Sequence, residues 1–235
     1  MEKSRWEKAQ GYEKQWWDHR KAGMNLEFYE DYAKDLQQQL SGVMEIKKDT
    51  YILEIGSGAA GILTFLKSDH RYAVDPLENF YADVPEFSAY RDPAVNYFTA
   101  KGEQLQFDKE FFDLIIMDNV LDHCEDPLQV VKEMIRVLKP NGIIFFRQNV
   151  YHCWGKFIRQ LMEMVEIDKG HPHTFTFSTL QDLVTSNHLS ILSIRRSGYF
   201  QRWKRELFAR TKNDLIKALL LVNRDKVLFL LKKTS

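Results

Sequence analysis

The glycine-rich stretch LEIGSGAAG, from Leu53 to Gly61, constrains the fold of this chain more than any other feature of the sequence. An apolar run that begins at Thr50 leads into it, and the apolar residues between 62 and 66 follow with the spacing of a helix face. The pattern predicts a strand, a tight turn and a helix. It is typical of a ligand-binding turn, although an ordinary strand-to-helix turn can have the same glycine spacing. Glycine permits the sharp turn and the close approach of a ligand or helix. The glycines are spaced G-x-G-x-x-G: Gly56, Gly58 and Gly61.

An acidic residue, Glu54, lies two positions before the first glycine and therefore close to whatever the turn holds. A dinucleotide site presents a helix N-terminus to a pyrophosphate, and a carboxylate nearby would repel that anion. A ligand with a cationic end would be attracted instead. S-adenosylmethionine has this character, because it carries an α-amino group, a sulfonium and an adenosine but no phosphate.

At this point the chain resembles the class I S-adenosylmethionine-dependent methyltransferases, whose first motif is an acid followed by a glycine-rich turn. The resemblance implies a cofactor site that includes Glu54, Ser57 and the three glycines of the turn. It also implies S-adenosylmethionine as the cofactor and S-adenosylhomocysteine as the product.

A second acid, Asp75, follows the short predicted strand Arg71 to Val74 and comes 19 positions after Gly56. A carboxylate at this place in a βαβ unit suits two ribose hydroxyls, since it accepts both of their hydrogen bonds. The alternative is an acid that caps the turn starting at Pro76, a residue that we include in the predicted cofactor site. Nicotinamide enzymes share this feature, so it predicts a nucleoside without choosing the cofactor.

A polar loop follows a third predicted strand, Val95 to Thr99. It is similar to the methyltransferase loop that meets the adenine ring, and a plain surface loop is the alternative. The apolar run from Phe112 to Met117 then predicts a fourth strand that is covered on both faces. The resemblance places three loop residues beside the adenine: Gly102, Glu103 and Gln104.

The segment after the fourth strand begins with Asp118 and Asn119 and ends at His123. Open α/β sheets bind ligands at the carboxyl ends of their strands, where these side chains project. The segment resembles the family's fourth motif, so we assign all three residues to the cofactor site. His123 is also a candidate base, although a structural histidine before a helix is the more common case. The run R-V-L-K-P-N-G that ends at Gly142 is close to the family's R-x-L-K-P-G-G.

These ordered motifs predict an α/β fold, a Rossmann-like three-layer sandwich covering residues 46–235. Its seven-stranded sheet is mostly parallel, with the last strand antiparallel, as the resemblance implies. A helix is expected from Asp126 to about Leu138. The remaining strands are predicted at Ile143 to Arg147, Ile191 to Arg195 and Val227 to Leu231.

The N-terminal residues 1–45 are predicted to be helices packed against this domain. The second helix has an apolar stripe that includes Phe28, Tyr32 and Leu36, which we assign to the core. The first 24 residues hold a high density of aromatic side chains. Similar methyltransferases often place such a segment over the cofactor, so we predict a lid in which three aromatics close the pocket: Tyr12, Trp16 and Trp17.

The region 149–177 follows the fifth strand, where this family usually builds its substrate pocket. It contains an aromatic loop with two histidines, His171 and His173, and the resemblance turns this loop toward the acceptor. Together with His123 they are the candidate catalytic bases, because histidine exchanges protons near neutral pH. Three histidines also suggest a metal, but no carboxylate or cysteine has convincing ligand spacing, so no metal site is predicted.

A long basic helix is predicted over residues 202–222. From Gln201 to Ser235 the chain has ten Lys or Arg and three Asp or Glu. A helix that lies on a membrane surface or meets an anionic acceptor is one interpretation, and peripheral membrane contact through this helix is possible. A docked helix with a solvated basic face is the interpretation that we favour.

The composition narrows the classes of partner. The chain has 33 Lys or Arg and 33 Asp or Glu, so it has no net positive charge that would attract nucleic acid. The sequence has no signal-peptide core and no run of transmembrane length, and its two cysteines form neither a metal set nor a disulfide framework. We therefore expect a cytoplasmic protein with reduced thiols and a small-molecule acceptor.

The sequence as a whole predicts methyl transfer from S-adenosylmethionine to a small or medium-sized acceptor. It does not choose between oxygen, nitrogen and carbon as the nucleophile, and it does not give the oligomeric state. Two alternatives stay open: a nicotinamide-dependent oxidoreductase, and a non-catalytic nucleoside-binding protein that regulates a partner.

Overall fold

A seven-stranded sheet with the strand order β3-β2-β1-β4-β5-β7-β6 forms the centre of the protein. The structure, a computed structural model, describes residues 4–164, 171–187, 189–209 and 211–234. All strand pairs are parallel except those of β7, which runs antiparallel to both β5 and β6. The strands are β1 (Tyr51–Ile55), β2 (His70–Asp75), β3 (Asn96–Thr99), β4 (Phe112–Asp118), β5 (Leu138–Val150), β6 (Leu189–Arg196) and β7 (Asp225–Lys233).

Nine helices within the described residues flank this sheet and extend from its edges. They are α1 (Arg5–Arg20), α2 (Leu26–Leu40), α3 (Glu78–Ala82), α4 (Pro85–Ser88), α5 (Pro127–Val137), α6 (Cys153–Met164), α7 (Phe177–Thr185), α8 (Tyr199–Leu207) and α9 (Lys212–Leu219). The predicted fold class is confirmed: a three-layer, mostly parallel α/β sandwich whose last strand is antiparallel.

The central strands are apolar on both faces because helices cover both sides of the sheet. One core cluster joins alternate residues of β1 and β4 to α5 and α7. The other joins the intervening residues to α2, through Leu36 and Leu40, which are completely buried. The helix α2 is thus part of the domain's core, and its amphipathic stripe was read correctly for Leu36. Phe28, by contrast, is exposed, so its assignment to the core was wrong.

The helix predicted after the glycine-rich turn is absent from the described chain. A single 3₁₀ turn, Leu63–Phe65, replaces it. The guanidinium of Arg71 donates to the carbonyl of Leu63 at 2.8 Å, so that this carbonyl has a side-chain partner in place of a further helical turn. The sheet face that this helix would cover is instead covered by α2, which packs with Ile62 and Leu66 in the same cluster.

A further prediction was wrong at the C-terminal side of the chain. The long helix expected over 202–222 is two helices, α8 and α9, because Thr211 caps a new helix by accepting a hydrogen bond from Asp214 N. The neighbouring helix α7 begins with a capping box at Thr176, whose hydroxyl accepts from Thr179 N. In the described part of the chain, no helix is long and apolar enough to cross a membrane.

Candidate functional site

A cavity of about 680 Å³ lies at the carboxyl ends of β1, β2 and β4, beneath α1 and the start of α2. Most of the residues predicted for the cofactor and the base meet here. Those that line it are Tyr12, Trp16, Trp17, Glu54, Gly56, Ser57, Gly58, Asp75, Pro76, Gly102, Glu103, Asp118, Asn119, His123 and His171.

The glycine-rich turn forms the floor of this cavity. Gly58 has a φ of +60°, a conformation that favours glycine, and its N–H donates to Asp75 Oδ2 at 3.0 Å. The other carboxylate oxygen of Asp75 accepts from Leu77 N at 2.8 Å. These two bonds fix the carboxylate at the end of β2, and burial raises its pKa to about 6. Each oxygen keeps a lone pair for a further donor in the cavity.

Glu54 is buried beside the turn at the end of β1. Its carboxylate accepts from Ile62 N at 3.1 Å, and a Cβ on Gly61 would lie only 2.6 Å from its Oε2. Gly61 therefore provides room for this carboxylate and does not itself line the cavity. Burial raises the pKa of Glu54 to about 8, against the lowering effect of the backbone N–H groups of Ile62 and Leu63. A cation in the cavity would favour the ionised form.

Two polar residues at the end of β4 are held by β5. Arg147 binds Asp118 through two parallel bonds, from Nε at 2.9 Å and from Nη2 at 2.8 Å, a geometry that fixes the carboxylate strongly. Asn119 has a φ of 57° and accepts from Asn149 N at 3.1 Å. Both residues line the cavity, but each has a partner within the sheet, so their first role is to shape this wall.

The predicted adenine loop closes the cavity on one side. Glu103 accepts from the backbone N–H groups of Glu125 and Asp126, at 2.6 and 3.1 Å, and so anchors the turn that precedes α5. Gly102 lies against Ile55 and Val130, where an added Cβ would be 3.3 Å from either side chain. The remaining loop residue of this prediction, Gln104, is exposed and lies outside the cavity lining.

The helix α1 forms the roof through contacts at three places. A Cβ on Gly58 would lie 2.6 Å from the indole of Trp17, so the ring packs directly on the glycine-rich turn. The ammonium of Lys101 lies 3.6 Å from the ring centroid of Trp6, and Arg5 donates to the carbonyl of His171 at 3.3 Å. In contrast to α2, the helix buries just one residue, Ala9, within its span.

Three titratable side chains converge at the far end of the cavity. Asp122 Oδ1 lies 3.9 Å from His123 Nε2, and Asp122 Oδ2 lies 3.9 Å from His171 Nε2. The two imidazole centroids are 4.6 Å apart. Asp122 is buried, and its Oδ1 has no hydrogen-bond partner among the described residues. Two histidines that flank one buried carboxylate suit proton transfer, and their spacing is also compatible with a metal ion.

The third candidate histidine, His173, faces away from the cavity. Its Nε2 lies 3.2 Å from the carbonyl of Glu125, and its ring stacks on Phe175.

Sequence reasoning missed a second group of residues that line the cavity, among them several aromatics of α1 and α2. This group includes Trp6, Gln10, Glu13, Arg20, Phe28, Tyr29, Tyr32, Tyr81, Lys101, Val120, Cys124 and Arg224.

One sequence profile and several known proteins match this chain. Residues 53–146 match the sequence profile of a family described as "Methyltransferase domain". Over 184 residues, which cover 76% of this chain and 67% of the relative, the chain is 25% identical to the malonyl-[acyl-carrier protein] O-methyltransferase of Marinomonas sp.. The fold, the matched domain and these relatives together support a class I S-adenosylmethionine-dependent methyltransferase.

Two other methyltransferases extend the comparison. A thiol S-methyltransferase of Homo sapiens is 26% identical over 66% of this chain and 66% of its own length. The structure of a geranyl diphosphate C-methyltransferase from Streptomyces coelicolor, in complex with Mg²⁺, geranyl diphosphate and S-adenosyl-L-homocysteine, has a TM-score of 0.65 at 14% identity, covering 87% of this chain and 80% of that one.

The matched region spans about two thirds of the length of the curated relatives. Their names specify different acceptor atoms, oxygen in one case and sulfur in the other. The comparisons therefore support methyl transfer as the general reaction but leave the acceptor open.

Proposed function

We propose that this protein transfers a methyl group from S-adenosylmethionine to a small or medium-sized acceptor whose nucleophile must lose a proton. The observation that carries the proposal is the buried Asp75 carboxylate, fixed by Gly58 N and Leu77 N at the edge of a large cavity. The sulfonium of the bound cofactor supplies an already activated methyl group. The protein's part is then to hold donor and acceptor in line and to manage the acceptor's proton.

The donor half of the cavity fits this cofactor by its chemistry. Asp75 offers lone pairs to the two ribose hydroxyls, and the backbone of Gly56 and Gly58 leaves room for a close approach. Acidic side chains, Glu13 and Glu54 among them, line this half and favour a cationic ligand over a phosphate. The wall formed by Gly102 and Glu103 lies where we place the adenine.

The acceptor half is assigned to Asp122, His123 and His171. A neutral imidazole that faces the acceptor takes its proton as the methyl group moves, and the buried Asp122 carboxylate stabilises the resulting imidazolium. This arrangement favours an acceptor such as a hydroxyl or a thiol, because these groups become better nucleophiles when they lose a proton. The O- and S-methyltransferase names of the two relatives support the same class.

The alternatives are distinguished by the ligand and by turnover. A nicotinamide-dependent oxidoreductase would bind a pyrophosphate, which the acids of the donor half disfavour. A non-catalytic nucleoside-binding protein would bind S-adenosylmethionine but release no S-adenosylhomocysteine with any acceptor. The cytoplasmic location expected from the sequence and the absence of a metal requirement stay predictions.

Calorimetric titration tests the donor site. We expect S-adenosylmethionine and S-adenosylhomocysteine to bind, and NADH and NADPH to give no heat of binding. The Asp75→Asn variant should bind S-adenosylhomocysteine at least about tenfold more weakly, since a hydrogen bond to a charged group is worth roughly 1.5–3 kcal/mol. The matched control is Asp49→Asn, an exposed acid at the amino end of β1, which should bind normally. Equal affinity in both variants would remove Asp75 from the site.

Turnover is tested separately by S-adenosylhomocysteine release in the presence of phenols, thiols, amines and enolisable carbonyl compounds. We expect release with a hydroxyl or thiol acceptor. Release with amines alone would contradict the acceptor assignment, while leaving the donor site intact.

A further inference from the structure

Three C-terminal helices leave the sheet at the same edge as the cavity. Val150 at the end of β5 pairs with Asp225 at the start of β7, and α6 begins three residues after Val150. The strand β6 also ends at this edge, where Arg196 pairs with Val227, and α8 follows it. The helix α9 leads back to β7 through Arg224, which lines the cavity. The helices α6, α8 and α9 therefore lie at the end of the sheet that carries the candidate active site.

Hydrogen bonds from aromatic side chains tie these helices into one unit. Trp154 Nε1 on α6 donates to the carbonyl of Leu220 at 3.0 Å. Trp203 Nε1 on α8 donates to the carbonyl of Ala218 at 3.1 Å, and the hydroxyl of Tyr199 donates to the carbonyl of Leu221 at 3.2 Å. The N–H and O–H groups of these aromatic side chains thus all donate to backbone carbonyls at the C-terminal end of α9. This leaves the apolar side chains of the unit to point outward.

The outward surface is unusually apolar. Phe200 and Phe208 are 79% and 77% exposed, and Leu219 is 68% exposed. Single exposed apolar residues are ordinary on protein surfaces, but a contiguous group on packed helices marks an interaction site. We call this surface the C-terminal helical face and define it by Trp154, Phe157, Phe200, Phe208, Ile216 and Leu219.

Positive charge accompanies the apolar side chains. Between residues 199 and 221 the chain has six Lys or Arg and two Asp or Glu. Both acids lie in ion pairs with a residue of their own helix, Glu206 with Arg202 and Asp214 with Lys217. Lys204 and Arg205 are exposed in the last turn of α8, and Lys204 is four residues from both Phe200 and Phe208, which places them on one side.

We propose that the C-terminal helical face docks this protein onto a membrane surface that contains anionic phospholipids. Helices that lie in a membrane interface insert Trp, Phe and Leu side chains into the lipid, while their Lys and Arg side chains contact anionic headgroups. The C-terminal helical face has both kinds of side chain. Two copies of the chain that met through this face would bring equal positive charges together, which disfavours a dimer. Docking here would hold the end of the sheet that carries the cavity close to the lipid surface, which favours an amphiphilic acceptor.

Vesicle co-sedimentation tests the proposal with the 235-residue protein. We expect binding to vesicles of phosphatidylcholine with about 30 mol% phosphatidylglycerol and much weaker binding to pure phosphatidylcholine, with the difference shrinking as salt increases. The double variant Phe200→Ser/Phe208→Ser should bind anionic vesicles at least about tenfold more weakly, because two aromatic side chains no longer enter the interface. Lys204→Glu/Arg205→Glu should lose the preference for anionic vesicles.

Matched controls use residues far from this face. Phe98→Ser removes an exposed aromatic of β3, and Lys47→Glu/Lys48→Glu reverses two charges near the amino end of β1. These variants should bind vesicles as the unchanged protein does. The affinity of every variant for S-adenosylhomocysteine shows that it is folded, and it separates this proposal from the proposed function, on which docking does not depend.

Two outcomes would overturn the proposal. One is the absence of binding to anionic vesicles at low salt by a protein that binds S-adenosylhomocysteine. The other is a dimer in analytical ultracentrifugation that Phe200→Ser/Phe208→Ser dissociates, together with vesicle binding that none of the variants changes. The second result would assign the C-terminal helical face to a second copy of the chain.

Discussion

The indole of Trp17 lies directly on Gly58, where a β-carbon would come within 2.6 Å of the ring. This contact joins the N-terminal helix to the turn that forms the floor of the cavity. The same indole meets Tyr81 and Phe87 edge-on and donates to Glu13 within its own helix. The helix α1 thus rests on the cavity through a few side chains at its rim, while α2 is anchored in the core.

We predict that α1 is a lid whose order depends on the cofactor. Because α1 buries a single residue of its own, its amides should exchange readily in the free protein and more slowly when S-adenosylhomocysteine binds. Hydrogen exchange followed by mass spectrometry measures this over residues 5–20. The segment 26–40 is the internal control and should be protected in both states. Equal exchange of residues 5–20 with and without the ligand would show that the aromatics of α1 serve packing alone.

Two truncations should have different consequences. Deletion of residues 1–20 removes the lid, so binding of S-adenosylhomocysteine should weaken and turnover should be lost while thermal unfolding stays cooperative. Deletion of residues 1–40 also removes Leu36 and Leu40, whose loss from a core typically costs 2–5 kcal/mol each. That shorter protein should lose its cooperative transition in calorimetry. A fully active protein lacking residues 1–20 would contradict the lid.

Stability should depend on pH through Glu54. Burial raises the pKa of this carboxyl to about 8 from its ordinary 4.5, so the folded protein holds the proton more tightly than the unfolded chain does. The stabilisation is complete below about pH 4.5 and is lost as the pH rises through about 8, with a slope of at most about 1.4 kcal/mol per pH unit. Removal of the titrating group should flatten this dependence.

Urea unfolding at pH 5.5 and pH 8 measures the effect as a difference between variants. Glu54→Gln keeps an acceptor for Ile62 N but does not ionise. The free energy of unfolding of this variant should therefore increase relative to that of the unchanged protein as the pH rises. The exposed Glu45→Gln is the control and should follow the unchanged protein at both pH values. Parallel behaviour of Glu54→Gln would mean that this carboxyl titrates normally.

Substitutions of the three candidate histidines should affect turnover differently, because only two of them line the cavity. If His123 or His171 is the base, its replacement by Gln should lower turnover by about 10²–10⁴ and leave the affinity for S-adenosylhomocysteine unchanged. Asp122→Asn should also slow turnover, because the buried carboxylate no longer stabilises the imidazolium. His173→Gln should cost less than about tenfold, since this ring bonds to Glu125 outside the cavity. Losses below tenfold at both His123 and His171 would exclude a histidine base.

Local patterns were sufficient to predict the sheet and many of the residues that line the cavity. The apolar runs around Leu53 and Ile115 are covered on both faces, so their composition alone indicates buried parallel strands. Asp75 was found by its distance from Gly56, because a strand and a short connection of standard length separate the two. A helix was predicted after the turn but is absent, because Arg71, in the next strand, bonds to the carbonyl of Leu63. That contact depends on tertiary structure, which a periodic pattern does not contain.

The acceptor half and the roof could be predicted only in part. His123 and His171 are 48 positions apart, and nothing local indicates that both face the side chain of Asp122. Tyr32 was assigned to the core from its place in a helical stripe, yet it also lines the cavity. Arg224 reaches the same cavity from the other end of the chain, through the pairing of β7 with β5. Such convergence is a property of the topology and leaves no signal in a short stretch of sequence.

The helix α2 covers the sheet face that the helix predicted after the glycine-rich turn would have covered. This arrangement has a consequence for folding during synthesis on the ribosome. Leu36 is made in the first fifth of the chain, but the cluster that buries it includes Leu228 and Leu230 of the last strand. This side of the sheet therefore stays open until β7 has emerged, because its residues that pack with α2 are encoded almost 200 positions later. Contacts of such long range slow folding, so this domain should acquire its native structure only once β7 has been made, rather than in stages.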